Sequence, residues 1–218
     1  MANKPLVMLG AGGHAAVLAE ILLEQKLPLI AVVAPDPIPA NSPLAGLKRI
    51  TSDEQLLSTY SPVEVWLVNG LGSIPDNNLR WWIFEFFSEK GYRFAHVISP
   101  KANLSNYLEL AEGVQIMMGV QVQTNASIGK NSIINTGATV EHDCKIGAHN
   151  HIAPGVTLSG GVITAEQVHI GTGASVIQNI QIGEQAVIGA GTTVVRDVPA
   201  QQRIIPAASR VISKESTK

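Results

Sequence analysis

The sequence has little of what disulfide-bonded, membrane-spanning or nucleic-acid-binding proteins need. Its 218 residues include one cysteine, Cys144, so no intrachain disulfide can form. Fifteen lysine and arginine residues are balanced by 17 aspartate and glutamate residues, without the basic excess that favours nucleic acid or an anionic membrane. No apolar run reaches the roughly 20 residues of a membrane span, and the N-terminus shows no cleavable signal. We therefore expect a soluble, cytoplasmic protein with no nucleic-acid partner and no membrane span.

Aromatic residues are also scarce, and this scarcity constrains the core. They make up 5% of the chain, whereas 45% of the residues are hydrophobic and 20 residues are glycine. Aliphatic side chains must therefore fill most of the interior.

An aliphatic residue recurs at every sixth position after residue 100, with Thr164 as the single break. The position two residues earlier is mostly small or β-branched, as at Cys144, and glycine often follows the aliphatic residue. A period of six fits neither a helix nor a long strand, so each hexapeptide is predicted to be a short strand plus a turn that stacks on its neighbours. We expect a solenoid over about residues 100–200, with both columns pointing inward. The aliphatic positions are Leu104, Leu110, Ile116, Val122, Ile128, Ile134, Val140, Ile146, Ile152, Leu158, Ile170, Val176, Ile182, Ile188 and Val194.

The first 99 residues have the pattern of a small α/β domain. Strands are predicted at 6–9, 29–33 and 63–68, and helices after the glycine turn 10–15, at 53–60 and at 77–90. Such alternation implies a parallel sheet. The domains are predicted as 1–99 and 100–218. In the last helix, apolar residues at helical spacing are interpreted as core residues packed on the sheet, with a docking patch as the alternative. These residues are Leu79, Trp82, Ile83, Phe86 and Phe87.

The two halves together resemble the left-handed β-helix (hexapeptide-repeat) sugar acyltransferases. The resemblance covers nearly the whole chain, and its most specific parts are NTGATVEHDCKIG at 135–147 and HNHIAPG at 149–155. It is closest to the UDP-4-amino-sugar N-acetyltransferases of the bacillosamine type and to sialic acid O-acetyltransferases. The resemblance implies a Rossmann-like half domain that binds a nucleotide sugar, then an all-β left-handed parallel β-helix. It also implies acetyl-CoA as co-substrate and a homotrimer with sites between subunits.

Acetyl transfer to an amine needs a base, and histidine suits this role near neutral pH. His142 is flanked by Glu141 and Asp143, and a carboxylate on one imidazole nitrogen would raise the basicity of the other. The resemblance implies that His142 is the general base and that Asp143 assists it, with Glu141 as the alternative assistant. A covalent route through Cys144 is disfavoured, since a thiol on the inward column is a small inert group.

The resemblance also implies the binding residues. Acetyl-CoA is expected at His151, Gly160, Thr172 and Ala190, where Gly171, Gly189 and Gly191 permit close approach of the chain. The backbone N–H near Gly160 is the candidate oxyanion donor. The nucleotide sugar is expected at Gly12, Gly13, His14, Asp36, Gly70 and Asn135. In the C-terminal tail, Pro206-Ala207 resembles the Pro-Ala at the end of the family's chains, and Arg203 and Arg210 are candidates for the CoA phosphates.

Other functions fit parts of the sequence. The G-x-G-x-x-A turn at 10–15, with Asp36 about twenty residues beyond, suggests NAD and hydride transfer when taken alone. A metal site like that of the β-helix carbonic anhydrases is a further alternative, with candidate ligands His142, His149, His151 and His169. The spacing of these histidines does not indicate a metal cage, and we expect no metal. A sugar-sensing solenoid without catalysis is a third alternative. Among transferases, we favour N-acetylation of a UDP-linked 4-amino-4,6-dideoxy sugar over O-acetylation of a sialic acid or related sugar.

Overall fold

The computed structural model describes residues 4–207, and its first part is a four-stranded parallel sheet with three helices. The strand order is β3-β2-β1-β4. The strands are β1 (Leu6–Leu9), β2 (Leu29–Val33), β3 (Lys48–Ile50) and β4 (Trp66–Asn69), and the helices are α1 (Gly13–Glu24), α2 (Asp53–Thr59) and α3 (Leu79–Glu89). The predicted first two strands are confirmed, whereas β4 begins three residues later than predicted. β3 was not predicted, because its short KRI sequence is exposed and charged at two of three positions.

Local sequence explains where these helices begin. α2 starts after Ser52, whose side chain accepts a hydrogen bond from the backbone N–H of Gln55, as an N-cap residue does. α1 has Gly12 at its N-cap and no side-chain cap. The N–H groups of its first turn are therefore left available to another acceptor.

The interpretation of α3 as packed on the sheet is confirmed for Ile83 and Phe87, which are buried, and for Phe86, which packs against the same core, but it is wrong for Leu79 and Trp82. Leu79 and Trp82 are 50% and 48% exposed, and Phe86 is only partly buried. The buried stripe is Arg80, Ile83, Phe84 and Phe87, which also has helical spacing. Because the buried stripe includes an arginine, its sequence is less apolar than that of the stripe containing Leu79 and Trp82, which is exposed.

The second part of the chain is a parallel β-helix with three faces, as the hexapeptide period predicts. Its coil is left-handed, as the resemblance to the hexapeptide-repeat acyltransferases implies. This handedness is an exception to the right-handed crossover rule. Face I contains β5 (Val97–Ile98), β8 (Gln115–Ile116), β11 (Ile133–Ile134), β14 (His151–Ile152), β17 (His169–Ile170), β20 (Val187–Ile188) and β22 (Arg203–Ile204). Face II contains β6 (Asn103–Leu104), β9 (Gln121–Val122), β12 (Thr139–Val140), β15 (Thr157–Leu158), β18 (Ser175–Val176) and β21 (Thr193–Val194). Face III contains β7 (Glu109–Leu110), β10 (Ser127–Ile128), β13 (Lys145–Ile146), β16 (Ile163–Thr164) and β19 (Gln181–Ile182).

Equivalent residues on successive coils lie 18 positions apart, so that Ile134 pairs with Ile152 and Ile152 with Ile170. The second residue of most strands is buried, and so is the small column that includes Ala138 and Cys144. Both columns therefore point inward as predicted. Each fully buried aliphatic side chain contributes about 1.5–3 kcal/mol to stability, and the interior is too narrow for many rings. Thr164, the break in the series, is buried and its hydroxyl accepts a hydrogen bond from the Asn150 amide at 2.5 Å.

The α/β part rests on the N-terminal coils of face I through buried polar groups. The Arg80 guanidinium donates to the carbonyl oxygens of Asn69, Leu71 and Asn131, at 2.6–3.3 Å. The Gln115 amide donates to the carbonyl of Asn69 at 2.7 Å. β5 already pairs with β8, and the division into domains 1–99 and 100–218 stays a prediction. Among residues 4–207, no helix is long and apolar enough to cross a membrane.

Candidate active site

The corners of the β-helix carry most of the predicted site residues. His142 and Gly160 lie one above the other where the chain passes from face II to face III, because the N–H of Gly161 donates to the carbonyl of His142 at 2.9 Å. We call this edge the II–III corner. Turn side chains at corners project from the coil, and the imidazole of His142 is more than half exposed.

His142 and Asp143 form a hydrogen-bonded pair at this corner. The Nδ1 of His142 is 2.7 Å from Oδ2 of Asp143, and both side chains are more than half exposed. The hydrogen bonds from His142 and from the Asn125 amide lower the pKa of Asp143, so this carboxyl is an anion that accepts. In the neutral imidazole of His142, Nδ1 then carries the proton and Nε2 carries the lone pair. Glu141 makes no side-chain hydrogen bond among the described residues, so the pairing favours Asp143 as the assistant.

Gly160 provides the surface on which the His142 ring lies. A Cβ atom at position 160 would fall 2.5 Å from Cε1 and 2.6 Å from Nε2 of His142, so only glycine allows this approach. The backbone N–H of Gly160 donates no hydrogen bond within residues 4–207. The His142 ring and the backbone of Gly160, with its unpaired N–H, are therefore adjacent, and acyl transfer needs a base and an N–H donor near each other.

Cys144 is two residues from His142 but is enclosed in the interior. It is fully buried, its Sγ donates to the carbonyl of Ser159 at 3.2 Å, and burial raises the pKa of its thiol. A buried thiol held in its neutral form is a poor nucleophile. This geometry agrees with the prediction that Cys144 takes no covalent part.

Thr172 and Ala190 lie on a different edge, where the chain passes from face I to face II. They are exposed neighbours in one column of this I–II corner, joined by the N–H of Gly191 donating to the carbonyl of Thr172 at 2.8 Å. The glycines around them permit tight stacking: a Cβ at Gly171 would meet the Ala190 backbone nitrogen at 2.6 Å, and one at Gly189 would meet Pro206 Cδ at 2.9 Å. Within one chain, these two residues and the His142–Gly160 pair therefore lie at opposite edges of face II.

His151 and Asn135 lie on the face I side of the I–II corner. The Nδ1 of His151 is 2.9 Å from the carbonyl of Ser73, and its Nε2 is 3.1 Å from the Asn135 amide nitrogen. Nδ1–H therefore donates and Nε2 accepts. Burial, helped by the nearby His169, lowers the pKa of His151 to about 3, so the ring is neutral and already has both of its partners. Because both ring nitrogens of His151 are already hydrogen-bonded, its predicted contact with acetyl-CoA is left to its ring carbons or to Asn135.

The glycine turn lies at the point where the strand order reverses. The connection after β1 leads to β2 on one side, whereas β4 returns to the other side of β1, and ligands of α/β sheets bind in the crevice at this point. A Cβ at Gly12 or Gly13 would have no neighbour within 4 Å, so space is open at the N-terminus of α1. Gly70 closes the crevice from below, since a Cβ there would meet the Leu9 carbonyl oxygen at 2.6 Å.

His14 and Asp36 have different surroundings. The Nε2 of His14 is 2.7 Å from the Gln115 amide oxygen, and burial, with a further contribution from Arg80, lowers the pKa of His14 to about 4. His14 thus connects the glycine turn to face I. Asp36 is exposed after β2 and makes no side-chain hydrogen bond among the described residues, so it is near the crevice by topology alone.

Sequence reasoning missed Arg80 and Gln115, which hold the crevice against the β-helix. Both are buried. Arg80 has no carboxylate partner among residues 4–207, and burial lowers its pKa to about 9. The helical spacing of Arg80 with Ile83, Phe84 and Phe87 was the signal that could have found it. Gln115 precedes the aliphatic Ile116 at a position that is usually exposed in this repeat, so no sequence signal distinguished it.

The remaining predicted residues lie elsewhere. Arg203 forms an ion pair with Asp76, and Arg210 lies outside the described residues. Over positions 4–207, no three His, Cys, Asp or Glu side chains come together in a way that could hold a metal ion.

Comparison with known proteins gave consistent matches. Residues 125–160 match the family model "Bacterial transferase hexapeptide (six repeats)". PerB from Caulobacter crescentus, solved with CoA and GDP-perosamine, is 35% identical, with 93% of this chain and 94% of that chain covered and a TM-score of 0.81. The acetyltransferase domain of PglB from Neisseria gonorrhoeae, also solved with acetyl coenzyme A, is 31% identical over 92% of this chain and 96% of that chain, with a TM-score of 0.82. WeeI from Acinetobacter baumannii shares the fold at 21% identity, 96% and 100% coverage and a TM-score of 0.80. A search of curated proteins found no match.

Proposed function

Since this chain belongs to the left-handed β-helix, hexapeptide-repeat sugar acyltransferases and is an acetyl-CoA-dependent sugar N-acetyltransferase, we propose that it acetylates the 4-amino group of a UDP-linked 4-amino-4,6-dideoxy sugar. The observation that carries the chemistry is the His142–Asp143 pair above the free N–H of Gly160. The expected product is a precursor of bacterial surface glycans or glycoproteins, of the diacetylbacillosamine type.

The proposed transfer is direct and takes place with both substrates bound. The sugar amine attacks the thioester carbonyl while Nε2 of His142 removes a proton from the nitrogen. Asp143 stabilises the resulting imidazolium through Nδ1. The tetrahedral oxyanion accepts a hydrogen bond from Gly160 N–H, the C–S bond breaks, and the proton leaves with the CoA thiol. The buried, neutral Cys144 supports a mechanism without an acetyl-enzyme.

The proposed nucleotide site is the crevice at Gly12, Gly13 and Gly70. The open α1 N-terminus is suited to a diphosphate, because its first N–H groups have no side-chain cap. PerB was solved with GDP-perosamine, which makes GDP the main competitor of UDP as the carrier. Asp36 is the proposed contact for the ribose or the base.

We further propose a homotrimer whose sites lie between subunits. Thr172 and Ala190 are separated from His142 by the width of face II, and in the proposed trimer a second chain brings its I–II corner beside the II–III corner of the first, so that one acetyl-CoA contacts both. A cytoplasmic location is proposed because acetyl-CoA and nucleotide sugars are supplied there.

The test is release of free CoA thiol from acetyl-CoA with a panel of acceptors. We expect turnover with UDP-linked 4-amino-4,6-dideoxy sugars, weaker turnover with GDP- and dTDP-linked ones, and none with sialic acid. His142→Ala is expected to lower kcat by about 10²–10⁴-fold, while Cys144→Ala, the matched control inside the same hexapeptide, retains most turnover. Release with sialic acid alone would establish O-acetylation instead, and loss of activity in Cys144→Ala with survival in His142→Ala would overturn the direct mechanism.

A further inference from the structure

A second polar cavity lies beside face I, away from the proposed transfer site. It has a volume of about 420 Å³, within the range of small-molecule pockets. One wall is the segment 73–81 before and at the start of α3, and the other is the corner where face III passes to face I. Arg203, a sequence candidate for the CoA phosphates that pairs with Asp76 here, lines this cavity, but none of the residues assigned to the base, the nucleotide crevice or the acetyl-CoA turns does.

The corner that lines the cavity has an unusual composition. Gln167, Gln185 and Gln201 occupy its successive turns at φ of +57°, +58° and +61°. The I–II corner places glycine at its positive-φ positions, for example Gly155 and Gly173. Glutamine lacks the tolerance of glycine and asparagine for this left-handed conformation. A strained backbone conformation at three successive turns indicates that the glutamine side chains have a function there.

These amides are free to bind something. Among the described residues, Gln167 and Gln201 make no side-chain hydrogen bond, and Gln185 contacts only its neighbour Glu184 at 3.5 Å. Each amide offers two donors and an acceptor. Trp81, which is 37% exposed, lines the same cavity and presents a flat apolar surface.

The charged groups around the cavity are already engaged. Arg203 pairs with Asp76, and Arg80 donates to three backbone carbonyls. His149 lies between the Asn131 amide at 3.0 Å and Glu85 at 3.1 Å. Burial lowers the pKa of His149 and of His169, so both rings are neutral at neutral pH. Within the described part of the chain, the cavity therefore has no free cation for a phosphate or carboxylate and is suited to a neutral ligand with many hydroxyl groups.

We propose that this cavity binds a neutral saccharide of one or two rings, with hydroxyl groups on the glutamine amides and one ring face on Trp81. The site is separate from the transfer site, so the inference does not depend on the identity of the acceptor sugar. The segment 71–73 stands between the two sites: a Cβ at Gly72 would lie 3.8 Å from His14 Cβ, while Ser73 lines the cavity.

The full-length protein is titrated with glucose, maltose, N-acetylglucosamine and N,N′-diacetylchitobiose, using saturation-transfer NMR and calorimetry, with inorganic phosphate as a probe expected not to bind. We expect at least one saccharide to bind. The Gln167→Gly/Gln185→Gly double variant should weaken that binding about tenfold or more through lost hydrogen bonds. Its melting temperature should not fall, because glycine relieves the positive φ. Gln181→Ala, an exposed glutamine on face III, is the matched control.

Three outcomes would overturn the proposal. They are no binding by any of the four saccharides, unchanged binding by the double variant, and displacement of the bound saccharide by the nucleotide-sugar substrate. The last result would place the saccharide in the transfer site, and thiol release by the unmodified enzyme would still test that site independently.

Discussion

At the scale of single residues, the pair formed by His142 and Asp143 gives the corner its chemistry. The side chain of Asp143 is shorter than that of glutamate, but the residue has a φ of +61°, and this backbone conformation accompanies a 2.7 Å contact with the adjacent imidazole. Because both side chains of the pair are exposed, the strength of their interaction depends on geometry and on whatever covers the corner more than on a low dielectric constant.

Substituting each carboxylate in turn should show whether Asp143 or Glu141 assists His142. Asp143→Asn keeps the shape of the side chain but removes the charge that stabilises the imidazolium, so we expect kcat to fall about 10- to 100-fold, less than for a buried triad aspartate because this pair is exposed. Glu141→Gln should leave kcat unchanged. Steady-state thiol release with both variants is the measurement, and a larger loss in Glu141→Gln would transfer the role to Glu141.

The sequence could predict residues of this kind only where the chemistry is local. His142, Asp143 and Cys144 are consecutive, and their inward or outward direction follows from the hexapeptide register. Other site contacts join residues that are far apart in the sequence. The separation is 46 positions for Gln115 and Asn69, 51 for Arg80 and Asn131 and 78 for Ser73 and His151. Such partners depend on how the two halves pack, which no local pattern encodes.

At the scale of elements, periodicity determined what was predictable. The hexapeptide series predicted the strands of the β-helix and the inward columns, because one position in six must be aliphatic to fill a narrow interior. Helix α3 has two apolar stripes, and the one containing Trp82 is exposed while the one containing Arg80 is buried. Which of the two stripes is buried depends on the sheet on which α3 packs and on the backbone carbonyls that accept hydrogen bonds from Arg80.

The contact between the segment after β4 and face I should weaken in acid. His151 is neutral in the folded protein with a pKa lowered to about 3 from 6.5, and His14 and His149 are each lowered to about 4. A histidine with a lowered folded pKa contributes full stability above its unfolded pKa, near 6.5, and loses it as pH falls towards the folded value. We expect the free energy of unfolding to decrease between pH 7 and pH 5, by up to about 1.4 kcal/mol per pH unit for each histidine.

Urea denaturation at pH 7, 6 and 5 measures this dependence. His151→Gln removes one titrating group and should reduce the slope, whereas Gln181→Ala, which removes no titrating group, is the control and should not. An unchanged slope in His151→Gln would show that protonation of His151 does not destabilise this contact.

At the scale of the whole molecule, the two edges of face II raise the question of how many chains build one site. Two chains with different defects can answer it. His142→Ala damages the II–III corner and Ala190→Trp blocks the I–II corner, so each variant alone should be inactive. In a cyclic trimer with sites between subunits, each mixed trimer that carries both variants has about one third of its interfaces with both edges intact.

Co-expression of the two variants with separate affinity tags, followed by tandem purification and thiol release, is the measurement. Recovery of activity near that fraction would show that one site uses two chains. Two separately purified variants mixed without subunit exchange are the control and should remain inactive. No recovery in the co-assembled protein would mean that one chain holds the complete site.

The 18-residue spacing between stacked strands has a further consequence for how the chain reaches its fold during synthesis. Every rung of the β-helix completes its hydrogen bonds with the rung made just before it, so each new coil can dock as soon as it leaves the ribosome. The α/β part is synthesised first and rests on the earliest rungs, where Gln115 and Asn131 receive it. The nucleotide crevice can therefore be assembled before the last coils, and with them Thr172 and Ala190, have been translated.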